Sequence, residues 1–167
     1  MENYINSVRK AVGDNNLYVA LFTVLSFPDI CASIDAEDGK TNRIKYAEWY
    51  ENHINEKYLE HISGVDCYVL RCAILHQGID DVSDNEKRDV LEKISFRQSG
   101  SHLISIRDHN FNGTIIPNFI LINVKEFIED ICKAVEKWKQ NNINNEKINK
   151  LFKISSEEIN YGGVLIR

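Results

Sequence analysis

The segment 66–78 constrains the fold most, because a helix formed by it would be apolar on almost every side. Apart from the aspartate before it and the glycine after it, the only polar residues are Arg71, His76 and Gln77. The flanking aspartate is a suitable N-cap, and the glycine is a typical residue beyond a helix C-terminus. We therefore predict a helix over 67–77 that other elements enclose and that runs through the middle of the domain.

Several other segments repeat apolar residues at helical spacing. One of them is nearly all apolar up to Pro28, which either kinks that helix or opens a new turn. Another carries an aromatic stripe that is typical of a helix packed in a core. The predicted helices cover residues 3–13, 17–25, 29–34, 43–59 and 124–138, with one or two further turns over 147–152.

The second half of the chain contains short runs of β-branched and aromatic residues between Gly, Asn, Ser and Pro, which predict strands. These runs are Ile94–Arg97, Leu103–Arg107, Phe119–Val124 and Val164–Arg167. A chain of 167 residues normally forms one core. We predict a single, mainly α domain over 1–167, in which residues 1–78 are helical and residues 79–167 add a small antiparallel β element and a C-terminal helix.

The net charge of -5 argues against broad electrostatic coating of nucleic acid. Residues 1–80 contain 7 Lys and Arg against 12 Asp and Glu, whereas residues 81–167 contain 13 of each. One stretch is locally basic, and it is either a solvated helix face or a strip that contacts phosphates. The candidate contacts to an RNA backbone in this stretch are Lys133, Lys137, Lys139, Lys147 and Lys150.

Several classes of protein are disfavoured by what the sequence lacks. The four cysteines form no CxxC pair and lie in apolar segments, so we expect reduced core residues and no metal site. Walker and glycine-rich dinucleotide motifs are absent, so no cofactor is expected. No uninterrupted apolar run approaches the length of a membrane span, and the N-terminus does not resemble a signal peptide. We expect a soluble, cytoplasmic protein.

Two ionisable residues on the apolar helix are candidates for a functional site. Arg71 keeps its charge when buried, so it requires a carboxylate, a carbonyl or an anionic ligand. Asp29 or Asp35 would be suitable ion-pair partners. His76 lies in the last turn, where the helix dipole favours a protonated ring. Either these residues are structural, or together they form a small cationic site.

The spacing from Arg71 to His76, an arginine followed by four residues and a histidine, resembles the signature of HEPN domains, which are helical bundles of prokaryotic defence and toxin systems. The resemblance covers residues 1–80. The strings Phe27–Cys31 and Leu70–Gly78 also resemble a group of small bacterial proteins of unassigned function.

The HEPN resemblance implies metal-independent RNA cleavage at a site shared by a homodimer, and a cognate antitoxin or other protein as partner. In that case His76 acts as general base or acid on the ribose 2′-hydroxyl, and Arg71 stabilises the charge on the phosphorane oxygens. Asp29 and Gln77 would support them. The alternative is a non-catalytic interaction or nucleotide-binding module in which Arg71 and His76 are structural.

Overall fold

The computed structural model describes residues 1–54, 56–75, 82–106, 109–111, 114–116, 119–151, 160–161 and 164–165. Most of these residues are helical, as the sequence predicts. The helices are α1 (Glu2–Gly13), α2 (Leu17–Leu25), α3 (Phe27–Asp35), α4 (Arg43–His53), α5 (Glu56–Leu59), α6 (Gly64–Leu75), α7 (Asp84–Lys93), α8 (Val124–Asn141) and α9 (Glu146–Asn149). The mainly α fold class is therefore confirmed.

The strands of the second half form a small mixed sheet and two hairpins. The strands are β1 (Ile94–Arg97), β2 (Leu103–Ile106), β3 (His109–Phe111), β4 (Thr114–Ile116), β5 (Phe119–Asn123), β6 (Asn160–Tyr161) and β7 (Val164–Leu165). In the mixed sheet β5 is central, pairing antiparallel with β2 and parallel with β1. The hairpins pair β3 with β4 and β6 with β7. The predicted β element is thus present, and one of its pairs is parallel.

The helix α6 lies close against α4 at its first residue. A Cβ atom added to Gly64 would lie 2.3 Å from the backbone oxygen of Ala47, so only glycine allows this approach. Further along α6, the buried residues that face its neighbours are Cys67, Tyr68, Val69, Leu70 and Cys72. The predicted central position of this helix holds for these residues, and the helix approaches the surface at Leu75, which is 37% exposed.

Of the two possibilities stated for Pro28, a kink or a new turn, the structure shows the second, because Pro28 lies in the first turn of a new helix, α3. The helix boundaries differ from the predicted ones at two places. The predicted helix over 43–59 is divided, because α4 ends at His53 and Ile54 is extended. The helix α7 was not predicted, although Ser83 and Glu86 form a capping box at its N-terminus, which is a signal that the sequence contains.

The segment Leu17–Asp35 is long and apolar enough to cross a membrane by length and composition, with a mean hydropathy of 1.8. A search for uninterrupted apolar runs alone therefore misses this segment. In the structure this segment is two helices separated at Ser26, and 56% of the apolar window is buried by the rest of the fold. A core helix of a soluble protein has the same properties, so the finding is consistent with a soluble protein.

Candidate functional site around Arg71

The N-terminus of α6 is fixed by a reciprocal pair of side chains. The amide of Asp66 donates to Ser63 Oγ at 3.0 Å, and the amide of Ser63 donates to Asp66 Oδ2 at 3.0 Å. Ser63 is therefore the capping residue, and the prediction that Asp66 caps this helix was wrong by three positions. Lys93 Nζ also donates to Asp66 at 3.0 Å and ties the end of α7 to α6. This arrangement fixes the position of the helix that carries Arg71.

Arg71 forms an ion pair with Asp29, one of the two partners that the sequence suggested. Its Nη2 lies 2.8 Å from Asp29 Oδ2, and the two side chains are 19% and 13% exposed. Asp29 is in the first turn of α3, so the pair joins α3 to α6. Burial, the largest single effect, lowers the pKa of Arg71, but the carboxylate of Asp29 together with Cys72 and Tyr46 raises it by more, so that the pKa lies above its ordinary value. Arg71 is thus a fixed and permanently charged group.

The remaining nitrogens of Arg71 have weaker partners among the described residues. Nη1 lies 3.8 Å from the thiol of Cys72, and the buried Nε has no hydrogen-bond partner in that part of the chain. A guanidinium has five N–H donors. Within the described ranges, the ion pair with Asp29 therefore leaves donor capacity that an anionic ligand could use.

Two of the predicted site residues, His76 and Gln77, lie outside the residues that the structure describes. The structure brings Arg71 and Asp29 together, so two of the four residues proposed for the site are in contact. Asp35, the other suggested partner of Arg71, instead accepts hydrogen bonds from Trp138 Nε1 at 2.9 and 3.1 Å.

The five candidate lysines have different surroundings. Lys133, Lys137 and Lys150 are exposed. Lys139 is paired with Glu2 at 3.1 Å. Lys147 donates to the carbonyl of Ile34 at 3.1 Å and to that of Ala36, so its ammonium group caps the C-terminal end of α3.

A second polar cluster was not found from the sequence. The hydroxyl of the fully buried Tyr58 donates to Asp130 at 3.0 Å and contacts His102 Nε2, while His102 Nδ1 contacts Glu126. Burial, the largest cause, raises the pKa of Tyr58. The only hint in the sequence is that Glu126 and Asp130 lie four residues apart on one face of α8. Because both ring nitrogens of His102 are engaged, the cluster ties the sheet to α5 and α8.

The four cysteines are all buried and free, as the sequence predicts for reduced core residues. Burial raises the pKa of the Cys67 thiol to about 12. Within the described ranges, no group of three or more His, Cys, Asp or Glu side chains is placed to hold a metal ion.

The chain was compared with known proteins at three levels. A scan against protein-family models, a search of curated proteins and a search of solved structures each found no match.

Proposed function

We propose that the protein is a metal-independent endoribonuclease or RNA-binding effector of the HEPN kind, acting as a homodimer in the bacterial cytoplasm. The observation that supports this proposal is the Arg71–Asp29 pair. It holds a permanent positive charge on the apolar helix, 19% exposed and with donor capacity remaining among the described residues. A fixed cation in a partly desolvated position is suited to stabilising a phosphorane.

In the proposed reaction the 2′-oxygen of a ribose forms a bond to the adjacent phosphorus, and the bond from phosphorus to the 5′-oxygen breaks. The 2′-hydroxyl proton passes to a base, and the leaving 5′-oxygen takes up a proton. We assign the proton transfer to His76 and the stabilisation of the phosphorane oxygens to Arg71. Asp29 is a positioning residue for Arg71. The products are a 2′,3′-cyclic phosphate and a 5′-hydroxyl.

The ion pair between Arg71 and Asp29 also supports a second, non-catalytic function. An arginine in a core helix that is neutralised by a carboxylate has a structural role in many proteins. Under this interpretation the protein is a non-catalytic interaction module, and Arg71 only joins α6 to α3. A protein partner such as an antitoxin would then bind elsewhere on the helical surface.

The test is cleavage of a mixed RNA substrate in EDTA by the wild type, His76→Ala and Arg71→Ala. We expect the wild type to produce cyclic-phosphate ends and each variant to lose about 100-fold or more of the rate. The matched controls are His61→Ala and the exposed Arg88→Ala, which should cleave normally. A melting curve of every variant separates loss of catalysis from loss of folding. Intact RNA with the wild type, or equal cleavage by folded site variants, would support the interaction module instead.

A further inference from the structure

One side of the helices α2 and α3 faces away from the rest of the fold. Ser26, which separates the two helices, keeps helical dihedral angles, so the helical path continues through it. Outward-facing residues therefore recur at spacings of three and four from one helix into the next. We call this surface the α2–α3 stripe, and its exposed and half-buried residues are Tyr18, Val19, Phe22, Thr23, Ser26, Ile30 and Ser33.

The first half of the stripe exposes large apolar side chains. Tyr18 is 78% exposed, Val19 is 61% exposed and Phe22 is 37% exposed. The rings of Tyr18 and Phe22 meet edge-on, with their centroids 6.2 Å apart. Apolar residues scattered singly are ordinary on a protein surface, but these three are neighbours on one helix. A contiguous apolar patch of this kind is typical of a surface that another molecule covers.

The aliphatic hydroxyl groups of the stripe have partners within their own helices. Thr23 Oγ1 donates to the carbonyl oxygen of Val19 at 2.7 Å. The hydroxyls of Ser26 and Ser33 donate to carbonyl oxygens three residues earlier, at 2.6 and 2.8 Å. Burying a hydroxyl costs free energy unless the group is hydrogen-bonded. Because these groups already donate internally, water can leave the stripe without stranding a serine or threonine hydroxyl hydrogen.

The stripe contains no charged residue, although the chain has a net charge of -5. Copies of an acidic chain repel each other where like charges meet, and this surface lets two copies approach without such a meeting. Asp29, at the edge of the stripe, is already paired with Arg71. A bilayer is a less suitable occupant, because helices that lie on membranes are rich in Lys and Arg beside their apolar face, and α2 and α3 contain neither.

The two halves of the stripe differ in side-chain size in a way that suits an antiparallel pair. The first half has the aromatic rings of Tyr18 and Phe22, whereas the second half has the small side chains of Ser26 and Ser33. In a two-fold symmetric contact, both copies use the same patch. Antiparallel helices related by an axis near Ser26 would set the large side chains of each copy against the small ones of the other. Such interdigitation is what close packing requires.

We propose that the α2–α3 stripe binds the same stripe of a second copy of this chain, with the helices antiparallel and the two-fold axis near Ser26. The inference rests on the proposed function for the homodimer, and it adds the surface that forms that dimer. Positions equidistant from the axis meet across the interface, so Val19 of each copy faces Ser33 of the partner subunit.

The oligomeric state of the full chain tests the proposal. Sedimentation velocity at about 100 μM detects dimers whose dissociation constants are micromolar. We expect the wild type to sediment with twice the 19.3 kDa mass of one chain. Val19→Glu places two carboxylates in the interface, and this variant should be a monomer. The matched control is Ile44→Glu, which changes a 67% exposed apolar residue of α4 outside the stripe and should leave the dimer intact.

A double variant tests the direction of the two helices. In Val19→Glu/Ser33→Lys, each new glutamate faces a new lysine of the partner only if the helices are antiparallel, so we expect the dimer to return. Because Val19 is exposed, the variants should melt like the wild type, and melting curves check this.

Three results would overturn the proposal. They are a monomeric wild type, including one that binds vesicles of neutral phosphatidylcholine instead, a Val19→Glu variant that stays dimeric, and a double variant that stays monomeric. RNA cleavage is not measured in this experiment. A dimer that leaves RNA intact would therefore overturn only the proposed function.

Discussion

Two arginines of this protein hold helices together in opposite ways. Arg9 of α1 lies at the surface and uses its whole guanidinium on two residues of α8, donating to Glu129 at 2.8 and 3.0 Å and to Glu136 at 2.6 and 3.0 Å. Arg71 of α6 lies inside the helical body, where it pairs with one described carboxylate, that of Asp29. The surface arginine makes four hydrogen bonds to two carboxylates, whereas the half-buried one pairs with a single carboxylate of the described residues.

The difference shows why the number of contacts does not measure the importance of an ion pair. The side chains of Arg9 and Glu136 are 36% and 40% exposed, so water competes for their hydrogen bonds and screens their charges. Arg71 and Asp29 are 19% and 13% exposed, and neither charge could be left there alone at low cost. We expect the single pair at Arg71 to matter more to stability than the four hydrogen bonds at Arg9.

The largest effect should follow removal of the carboxylate from the half-buried pair. In Asp29→Ala the guanidinium of Arg71 loses its described carboxylate partner, and we expect the free energy of unfolding to fall by about 3 kcal/mol. Urea unfolding measures this loss. The matched change at the surface is Glu129→Ala, which leaves Arg9 with Glu136 and should cost less than about 1 kcal/mol.

The double variant Asp29→Leu/Arg71→Met separates the cost of an unpaired charge from the cost of lost packing. Replacing a buried ion pair by apolar residues is often close to neutral in stability. We therefore expect the double variant to be more stable than Asp29→Ala. The conclusion that the Arg71–Asp29 pair contributes more to stability than the hydrogen bonds of Arg9 is wrong if either of two results is found. One is that the double variant and Asp29→Ala have the same free energy of unfolding, and the other is that Glu129→Ala is more destabilising than Asp29→Ala.

A smaller effect should follow replacement of the surface arginine itself. Arg9→Gln removes the charge from the junction of α1 and α8, and we expect a loss of about 1 kcal/mol at low ionic strength. Because these charges are exposed, added salt should reduce that loss, whereas the loss in Asp29→Ala should change little. Urea unfolding with and without 1 M salt, a concentration that shortens the Debye length to about 3 Å, measures both responses.

The sequence predicted a buried ion pair as one role of Arg71, but it did not predict the partners of Arg9. The reason is physical. An arginine on an apolar helix must find an opposite charge, so Asp29 and Asp35 could both be suggested as its partner, and only the packing selects Asp29. Arg9 is on an amphipathic surface helix, where any of many exposed acids would serve equally well. Glu129 and Glu136 are about 120 residues away in the chain, and only the packing of α1 on α8 selects them.

The fold shows the same distinction between local patterns, which can be read from the sequence, and tertiary contacts, which cannot. Helices and strands with strong local patterns were predicted within a few residues, including β1 and β5. Their pairing in parallel was not predicted, because it depends on contacts between residues 94–97 and 120–123 that no local pattern encodes. The hydrogen bonds of Tyr58 with Asp130 and of Trp138 with Asp35 are likewise tertiary. His76 and Gln77 remain predictions.

The smallest effect concerns the pH dependence of stability at the surface arginine. The hydrogen bond from Arg9 lowers the pKa of Glu136 below its ordinary value of 4.5. A carboxyl group with a lowered pKa contributes stability that is present above the ordinary value and is lost as the pH falls below it. The difference in stability between the wild type and Arg9→Gln should therefore be constant from pH 7 to about pH 5 and shrink below pH 4.5.

Urea unfolding of both proteins across this range measures the difference directly. Lys10→Gln is the matched control, because it removes a cation of the same helix whose ion-pair partner among the described residues is the exposed Asp14. It should show little difference from the wild type at any pH, since an exposed pair four residues apart contributes only a few tenths of a kcal/mol. A difference between wild type and Arg9→Gln that persisted unchanged below pH 3 would mean that Arg9 stabilises the α1–α8 junction by packing of its aliphatic stem rather than by its charge.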